Sequence, residues 1–393
     1  MIDEKELFDK FDNLNNDKTH YQTNDDICTP MECVKTMINY IPNDFWNNKN
    51  IKVLDPCCGN GNFGAYLQYK TIIDNIYFND INEQRLENCK TILNPKHISN
   101  YDFFTIYDKY DLIVANPPYS GGGNKNKSLS NRFIEHSIDL LKDKGYLCFI
   151  TPNNWMSYNN NNTTLKKLLN NGSFVVIDND AKKYFPKVGS SFTIFVWQKS
   201  VFNNKTKVIN NYLIKDIQYV NIDKNIHFIP LYLSQQILDI IQKTTTENTN
   251  NFNYRCDLHN FTKKNLLNDN RNDVFKYKTI HTPKKTRYAT IKQDIYDKWV
   301  VIIPLSCYFI PYVEHNVNTT QSVGYFAFDT KAQALLFKDK LKENWIKVLV
   351  HLTRYGNFNN ILVLKHINFM LNENCFIQQE NDIIQQLISK IRY

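Results

Sequence analysis

From Ile51 to about Trp197, short apolar runs alternate with stretches of helical periodicity. The strand-like runs are Ile51–Leu54, Ile76–Phe78, Tyr110–Ala115, Tyr146–Ile150, Phe174–Ile177 and Phe192–Trp197. Helix-like patterns fall between them at Asn82–Thr91, Asn131–Leu141 and Leu165–Leu169. Regular alternation of this kind predicts a parallel α/β sheet with helices on both faces. The last two runs follow each other closely, which predicts an antiparallel edge hairpin. Beyond them the pattern loses its regularity and becomes rich in aromatic and basic residues. The stretch Thr244–Asn251 has no apolar residue. It predicts a boundary between a first domain, residues 1–245, and a second, 246–393. The most apolar run, Trp299–Val313, is interrupted by Pro304 and Pro311. It is too short and broken to span a bilayer and predicts buried strands.

Charge separates the two halves. The net charge of the chain is +8, of which residues 1–245 carry +1 and residues 246–393 carry +7. The excess is concentrated between Arg255 and Lys298, in a segment that includes Lys284, Lys285 and Arg287. A basic module beside a neutral one suits a polyanion partner. On charge alone, a solvated basic face without a partner explains it equally well. Nine cysteines show neither CxxC pairs nor Cys/His ligand spacing. That argues against a disulfide framework and against a metal site, and for a reducing compartment. Met1–Lys10 is acidic and amphipathic, unlike a signal peptide. Asn-rich stretches such as Asn159–Asn162 suggest polar loop filler.

Two constellations carry the chemistry. Asp55-Pro56-Cys57-Cys58-Gly59-Asn60-Gly61-Asn62-Phe63-Gly64 follows a predicted strand and precedes a helical run. Its glycines allow a tight turn and close approach of backbone to a ligand. Asp80 ends the next strand, where a carboxylate can accept from ribose hydroxyls. No P-loop pattern is present. Asn100-Tyr101-Asp102-Phe103 offers an acceptor for an adenine amine and a ring to cover it; taken alone, it suits a turn with a packed aromatic better. The second constellation, Asn116-Pro117-Pro118-Tyr119, ends the Tyr110–Ala115 run. Two prolines stiffen the backbone and leave carbonyls free to accept. The Asn amide oxygen is another acceptor, and the Tyr ring a stacking face. Together these suit a planar amino group on a heterocycle.

On these residues the chain resembles the S-adenosyl-L-methionine-dependent amino-methyltransferases. More narrowly, it resembles the gamma-class, TaqI-like DNA adenine methyltransferases of restriction–modification systems. Cys28-Thr29-Pro30-Met31-Glu32 is similar to the family's Thr-Pro segment, with Thr29 and Pro30 at the methionine end of the cofactor. Asp55, Pro56, Cys57, Gly59 and Gly61 match the cofactor loop, Asp80 and the neighbouring Ile81 the ribose position, and Asp102 and Phe103 the adenine position. Asn116, Pro117, Pro118 and Tyr119 match the catalytic tetrapeptide, whose Asn116 and Pro118 also border the cofactor. Gly145–Trp155 resembles a family strand and loop, and Phe185 the aromatic on the second face of a flipped base. The resemblance spans about residues 27–200. It is faint beyond 245, where Thr353–Phe358 and Leu362–Ile367 are only distantly similar.

The resemblance implies a Rossmann-like methyltransferase sheet, mostly parallel, followed by an α+β target-recognition domain. It implies methyl transfer to the N6 amine of an adenine turned out of double-stranded DNA. Asn116 and the Pro117 carbonyl then accept from the amine, and no general base is required. It further implies a monomer located with the genomic DNA, in cytoplasm or nucleoplasm, with a cognate restriction endonuclease as a candidate partner. Ser120–Lys127 predicts a loop that orders on DNA, with Lys125, Lys127 and Arg132 near phosphates. An exposed loop without contacts is the plainer alternative. Enzymes that methylate RNA adenine or a release-factor glutamine share the tetrapeptide. The glutamine enzymes usually carry an extra domain before the cofactor loop, where this chain has about fifty residues. A catalytically silent DNA-binding subunit would be marked by loss of the Asn or of the cofactor acid, and both are present.

Overall fold

The computed structural model describes residues 3–16, 28–119, 128–157, 162–186, 191–200, 203, 205–210, 212–246, 250–306, 308–356 and 359–391. They form two compact units. The first comprises residues 1–156 and 160–228, the second 157–159 and 229–393.

The first unit is built on a nine-stranded sheet. Its strands are β1 (Val53–Asp55), β2 (Ile76–Asn79), β3 (His97–Ser99), β4 (Tyr110–Ala115), β5 (Leu141–Pro152), β6 (Gly172–Asp178), β7 (Phe192–Lys199), β8 (Lys205–Asn210) and β9 (Asp216–Asn221). Their order across the sheet is β3-β2-β1-β4-β5-β7-β6-β8-β9. β1 to β5 pair in parallel, while β7 runs antiparallel to both neighbours. The central strands are buried on both faces, which is why Val53-Leu54 and Leu112–Ala115 read as unbroken apolar runs. The helices are α1 (Glu4–Asn16), α2 (Met31–Asn39), α3 (Asn62–Leu67), α4 (Glu83–Leu93), α5 (Leu129–Leu140) and α6 (Thr163–Asn171). α2 joins the core through Met31, Val34, Met37 and Ile38, in one cluster with Cys148, Ile150, Ile194 and Val196 of β5 and β7. The expected Rossmann-like α/β class is present. The antiparallel pair is also present, but not at the edge. β7 lies between β5 and β6, and β8 and β9 extend the sheet past it. Their alternation of exposed and buried positions is that of a half-solvated edge, a weaker signal than a doubly buried run.

The second unit contains β10 (Asn253–Tyr254), β11 (Leu267–Asn268), β12 (Tyr277–Thr282), β13 (Lys285–Ala289), β14 (Trp299–Pro304), β15 (Tyr312–His315), β16 (Asn318–Thr319) and β17 (Val323–Phe328). They make two four-stranded sheets, β10-β17-β14-β15 and β11-β13-β12-β16. The helices are α7 (Gln235–Thr244), α8 (Lys331–Lys340), α9 (Asn344–Leu352), α10 (Ile361–His366) and α11 (Gln378–Ile388). The Trp299–Val313 run supplies β14, buried from Val300 to Pro304 as expected, and the start of β15, which pairs antiparallel with it and is only half-buried. Ile280, Val300, Ile302, Val317, Val323 and Tyr325 form an apolar centre.

The boundary falls at Phe228/Ile229, not at 245/246. The described residues of the polar tract, 244–246 and 250–251, are bound within the second unit. Thr246 N–H donates to the His366 carbonyl (2.8 Å) and Asn250 N–H to the Lys365 carbonyl (2.7 Å). The Asn250 side chain donates to the Ile367 carbonyl at 2.7 Å. Polar residues here satisfy the carbonyls at the end of α10 rather than forming a solvated linker.

Candidate active site

In a parallel sheet, ligands collect beyond the carboxyl ends of the strands, where the strand order reverses. Here the order reverses between β1 and β4, which are adjacent in parallel register with Leu54 opposite Ile113. The segments leaving these two strands are Pro56–Gly61 and Asn116–Tyr119. Topology alone therefore brings the two constellations together.

The glycine loop has the geometry its residues require. Gly59 and Gly61 lie at φ +52° and +92°, in the left-handed region. A Cβ on Gly61 would stand 2.7 Å from Leu93 Cδ1 and 2.9 Å from Cys89 Sγ, both on α4. Gly61 caps the start of α3. Asp80 sets the loop from the neighbouring strand. Its Oδ2 accepts from Gly59 N–H at 2.8 Å and its Oδ1 from Asn82 N–H at 2.8 Å.

Asn79, which the motifs do not include, joins three loops. It donates to the Pro56 carbonyl (3.2 Å) and the Tyr101 carbonyl (3.0 Å), and accepts from Tyr101 N–H (3.0 Å) and the Ser99 hydroxyl (2.9 Å). An Asn at the last position of a strand, directly before the acid, was its only sequence signal.

Asp55 is fully buried, and neither of its carboxylate oxygens has a hydrogen-bond partner among the described residues. Burial and, secondarily, the charge of Asp80 push its carboxyl well above the ordinary range. The Cys57 backbone N–H opposes that shift without reaching hydrogen-bond geometry. An unsatisfied buried acid costs stability unless a ligand cation or donor meets it. With the glycine turn and Asp80 beside it, this donor set fits a nucleoside that carries a cationic amino acid, as S-adenosylmethionine does.

Asn116 follows β4 directly. Its Nδ2 donates to Thr29 Oγ1 at 3.0 Å, and its Oδ1 accepts from the Tyr119 hydroxyl at 2.7 Å. Cys57 Sγ lies 3.6 Å from the Asn116 carbonyl oxygen. Thr29, Cys57, Asn116 and Tyr119 thus meet in one place. Burial pushes the Tyr119 phenol well up, so it remains a protonated donor toward Asn116. Pro30 caps the start of α2, Pro56 and Pro117 are buried, and Pro118 is exposed.

The other expected positions are less uniform. Ile81 is 74% exposed beside Asp80, and Asp102 is exposed too. Asp102 accepts from Phe104 N–H at 3.1 Å, capping the short helical turn Phe103–Thr105. Phe103 is buried and stacks on Phe133, with centroids 4.6 Å apart. Phe185 does not present an open face. It is 4% exposed and packs on Phe192, which also contacts Tyr119, so Phe192 links the two rings. Lys125 and Lys127 lie outside the described residues. Arg132 is exposed, with its guanidinium 4.1 Å from the Phe104 ring centre.

In the second unit, Lys285 and Arg287 both pair with Asp269, at 3.6 and 2.9 Å. Arg287 also donates to Asn260. Lys284 is exposed and forms no ion pair among the described residues. A cavity of about 520 Å³ lies elsewhere in the first unit, between Tyr40, Tyr146, Gln198, Lys205, Lys207 and Tyr219, and holds none of the motif residues. Among the described residues, no group of His, Cys, Asp or Glu could hold a metal ion, and no helix is long and apolar enough to cross a membrane.

Comparison with known proteins covers the tetrapeptide and the end of the glycine loop. Residues 61–185 match the family model of the Eco57I restriction-modification methylase. The Type II methyltransferase M.HincII of Haemophilus influenzae is 31% identical over 206 residues, 46% of this chain and 38% of that protein. An uncharacterized adenine-specific methylase of Mycoplasma pneumoniae is 31% identical over 163 residues, 38% of this chain and 37% of that protein. Ribosomal RNA small subunit methyltransferase C of Psychromonas ingrahamii is 30% identical over 139 residues, 34% of this chain and 38% of that protein. The chain thus spans well under half the length of each of these relatives.

Proposed function

We propose that this chain is an S-adenosylmethionine-dependent, site-specific DNA methyltransferase of restriction–modification type, acting on the N6 amine of a flipped-out adenine in double-stranded DNA. The observation that carries the reading is the placement of Asn116-Pro117-Pro118-Tyr119 at the carboxyl end of β4, beside the glycine loop of β1. The relatives named as a Type II methyltransferase and as an adenine-specific methylase support it.

When bound, S-adenosylmethionine supplies an activated sulfonium methyl group. The work left to the chain is positioning and acceptance of hydrogen bonds. Adenine's amine is a weak nucleophile because its lone pair is delocalised into the ring. Asn116 Oδ1 and the Pro117 carbonyl accept from its two hydrogens and favour the tetrahedral nitrogen that develops as it attacks. Their stabilisation is therefore greater in the transition state than in the ground state. The Tyr119 hydroxyl now holds one of the two acceptor sites of Oδ1 and leaves it as the ring turns toward the base. Its ring then stacks on the base, worth about 1–3 kcal/mol. That offsets part of the few kcal/mol, roughly, that unstacking costs. With Phe185 in the core, the second face needs another group or a rearrangement at Phe192.

RNA is the second reading, favoured by the ribosomal RNA methyltransferase among the relatives. A single assay separates the two. The purified protein, with labelled S-adenosylmethionine, is offered matched DNA duplexes and RNA, and the modified base is identified by sequencing. N6-methyladenine confined to one duplex motif is expected. Label in RNA alone, or on another base, would overturn the proposal.

A further inference from the structure

We propose that Thr29 is a positioning residue for Asn116. Its hydroxyl receives Nδ2 of the Asn116 amide and so holds Oδ1 toward the incoming amino group. The inference rests on the methyl-transfer reading above and adds to the segment's expected place at the cofactor a role in orienting the acceptor.

The geometry is specific. Thr29 is buried, and its Oγ1 lies 3.0 Å from Asn116 Nδ2. Its backbone is tethered at two points. Its carbonyl accepts from Asn62 Nδ2 at 2.8 Å, and Asn62 is the first residue of α3, directly after the glycine loop. Asn62 Nδ2 also lies 3.2 Å from Asn15 Oδ1 of α1. Two residues after Thr29, Met31 N–H donates to Asp12 Oδ1, also of α1, at 3.2 Å. Branching at Cβ stiffens χ1, so a tethered Thr backbone carries a tethered hydroxyl.

The need for such a residue follows from hydrogen-bond chemistry. A hydroxyl both donates and accepts, so Tyr119 can pair with either end of the Asn116 amide. An exocyclic amine with a delocalised lone pair only donates. Once it replaces the Tyr119 hydroxyl, Oδ1 must face it and Nδ2 must face away. The Thr29 oxygen lies where Nδ2 then points. Thr29 is also a hydroxyl, so it fixes the position and plane of the amide while the amine, which only donates, selects the orientation. Without Thr29 the amide is no longer held opposite the incoming amine.

The test compares Thr29→Val and Thr29→Ser in the full chain. In single-turnover assays, Thr29→Val should lower the methyl-transfer rate about 10–100-fold. Its dissociation constant for S-adenosylmethionine should stay within about threefold, and Thr29→Ser should retain most of the rate. A second readout needs no substrate. In 15N-labelled protein, the Asn116 side-chain amide signal should move or broaden in Thr29→Val and keep its position in Thr29→Ser. An unchanged rate in Thr29→Val, a loss confined to cofactor affinity, or an amide signal indifferent to the substitution would each overturn the proposal. Failure of the wild-type chain to methylate DNA would instead sink the functional reading, and the amide signal would still decide the role of Thr29.

Discussion

The glycine loop with its tetrapeptide and the basic segment of the second unit respond differently to the fold. In the first region, residues 21 to 87 positions apart converge on shared hydrogen bonds. Asp80 holds Gly59, and Thr29 holds Asn116. In the second, folding disperses what composition had gathered. Arg255 pairs with Asp257 and Asp294, Lys278 with Glu314, Lys292 with Asp297, Lys298 with Asp329, and both Lys285 and Arg287 with Asp269. A motif keeps its meaning because its residues sit on a few adjacent loops. A charge count does not, because carboxylates within the segment and beyond it, at Glu314 and Asp329, pair with many of its cations.

Substitutions at the two regions should therefore differ in kind. The largest effect is expected from Asn116→Ala. Methyl transfer should fall on the order of a thousandfold while S-adenosylmethionine still binds, as judged by calorimetry. Wild-type turnover in this variant would remove the tetrapeptide from the chemistry. Gly61→Ala should come next. Left-handed backbone strain and overpacking against Leu93 and Cys89 should cost on the order of 2–4 kcal/mol. Chemical denaturation would measure it, and an unchanged midpoint would contradict the tight turn.

Tyr119→Phe keeps the ring and removes the hydroxyl from Asn116 Oδ1. A hydrogen bond of this kind is worth about 1 kcal/mol net. Affinity for substrate duplex should thus rise roughly two- to tenfold, and a fall would show that the hydroxyl serves the bound state. The smallest effect tests the other region. If the second unit meets phosphates, Lys284→Ala should reduce the slope of log affinity against log salt by about 0.9. Arg287→Ala, by breaking the pairing with Asp269 and Asn260, should lower thermal stability and leave that slope nearly unchanged. Equal slopes for both variants would erase the distinction between paired and open cations.

Much of the fold could be read from sequence where a strand is buried on both faces. Tyr110–Ala115 is β4 residue for residue, and β1, β2, β6 and β7 lie within about two residues of their apolar runs. The short strand His97–Ser99, half-buried at the sheet edge, left no comparable trace, nor did β8 and β9. The polar tract at Thr244–Asn251 pointed to the wrong boundary. Its side chains bond to carbonyls after α10, more than a hundred residues away, and no local pattern reports such a partner.

The site divides in the same way. Glycine at positive φ, an acid at a strand end and Asn-Pro-Pro-Tyr after a strand are local demands of backbone and donor chemistry. Residue types at fixed spacing therefore express them. Three other features arise from side chains that meet only when the strands of the sheet pair and the loops at their ends close. Asn79 joins three loops, Phe185 turns into the core against Phe192, and Tyr119 and Thr29 share the two ends of one amide. Burial and hydrogen-bond geometry at those points depend on segments far apart in the chain, so they became visible only in the folded molecule.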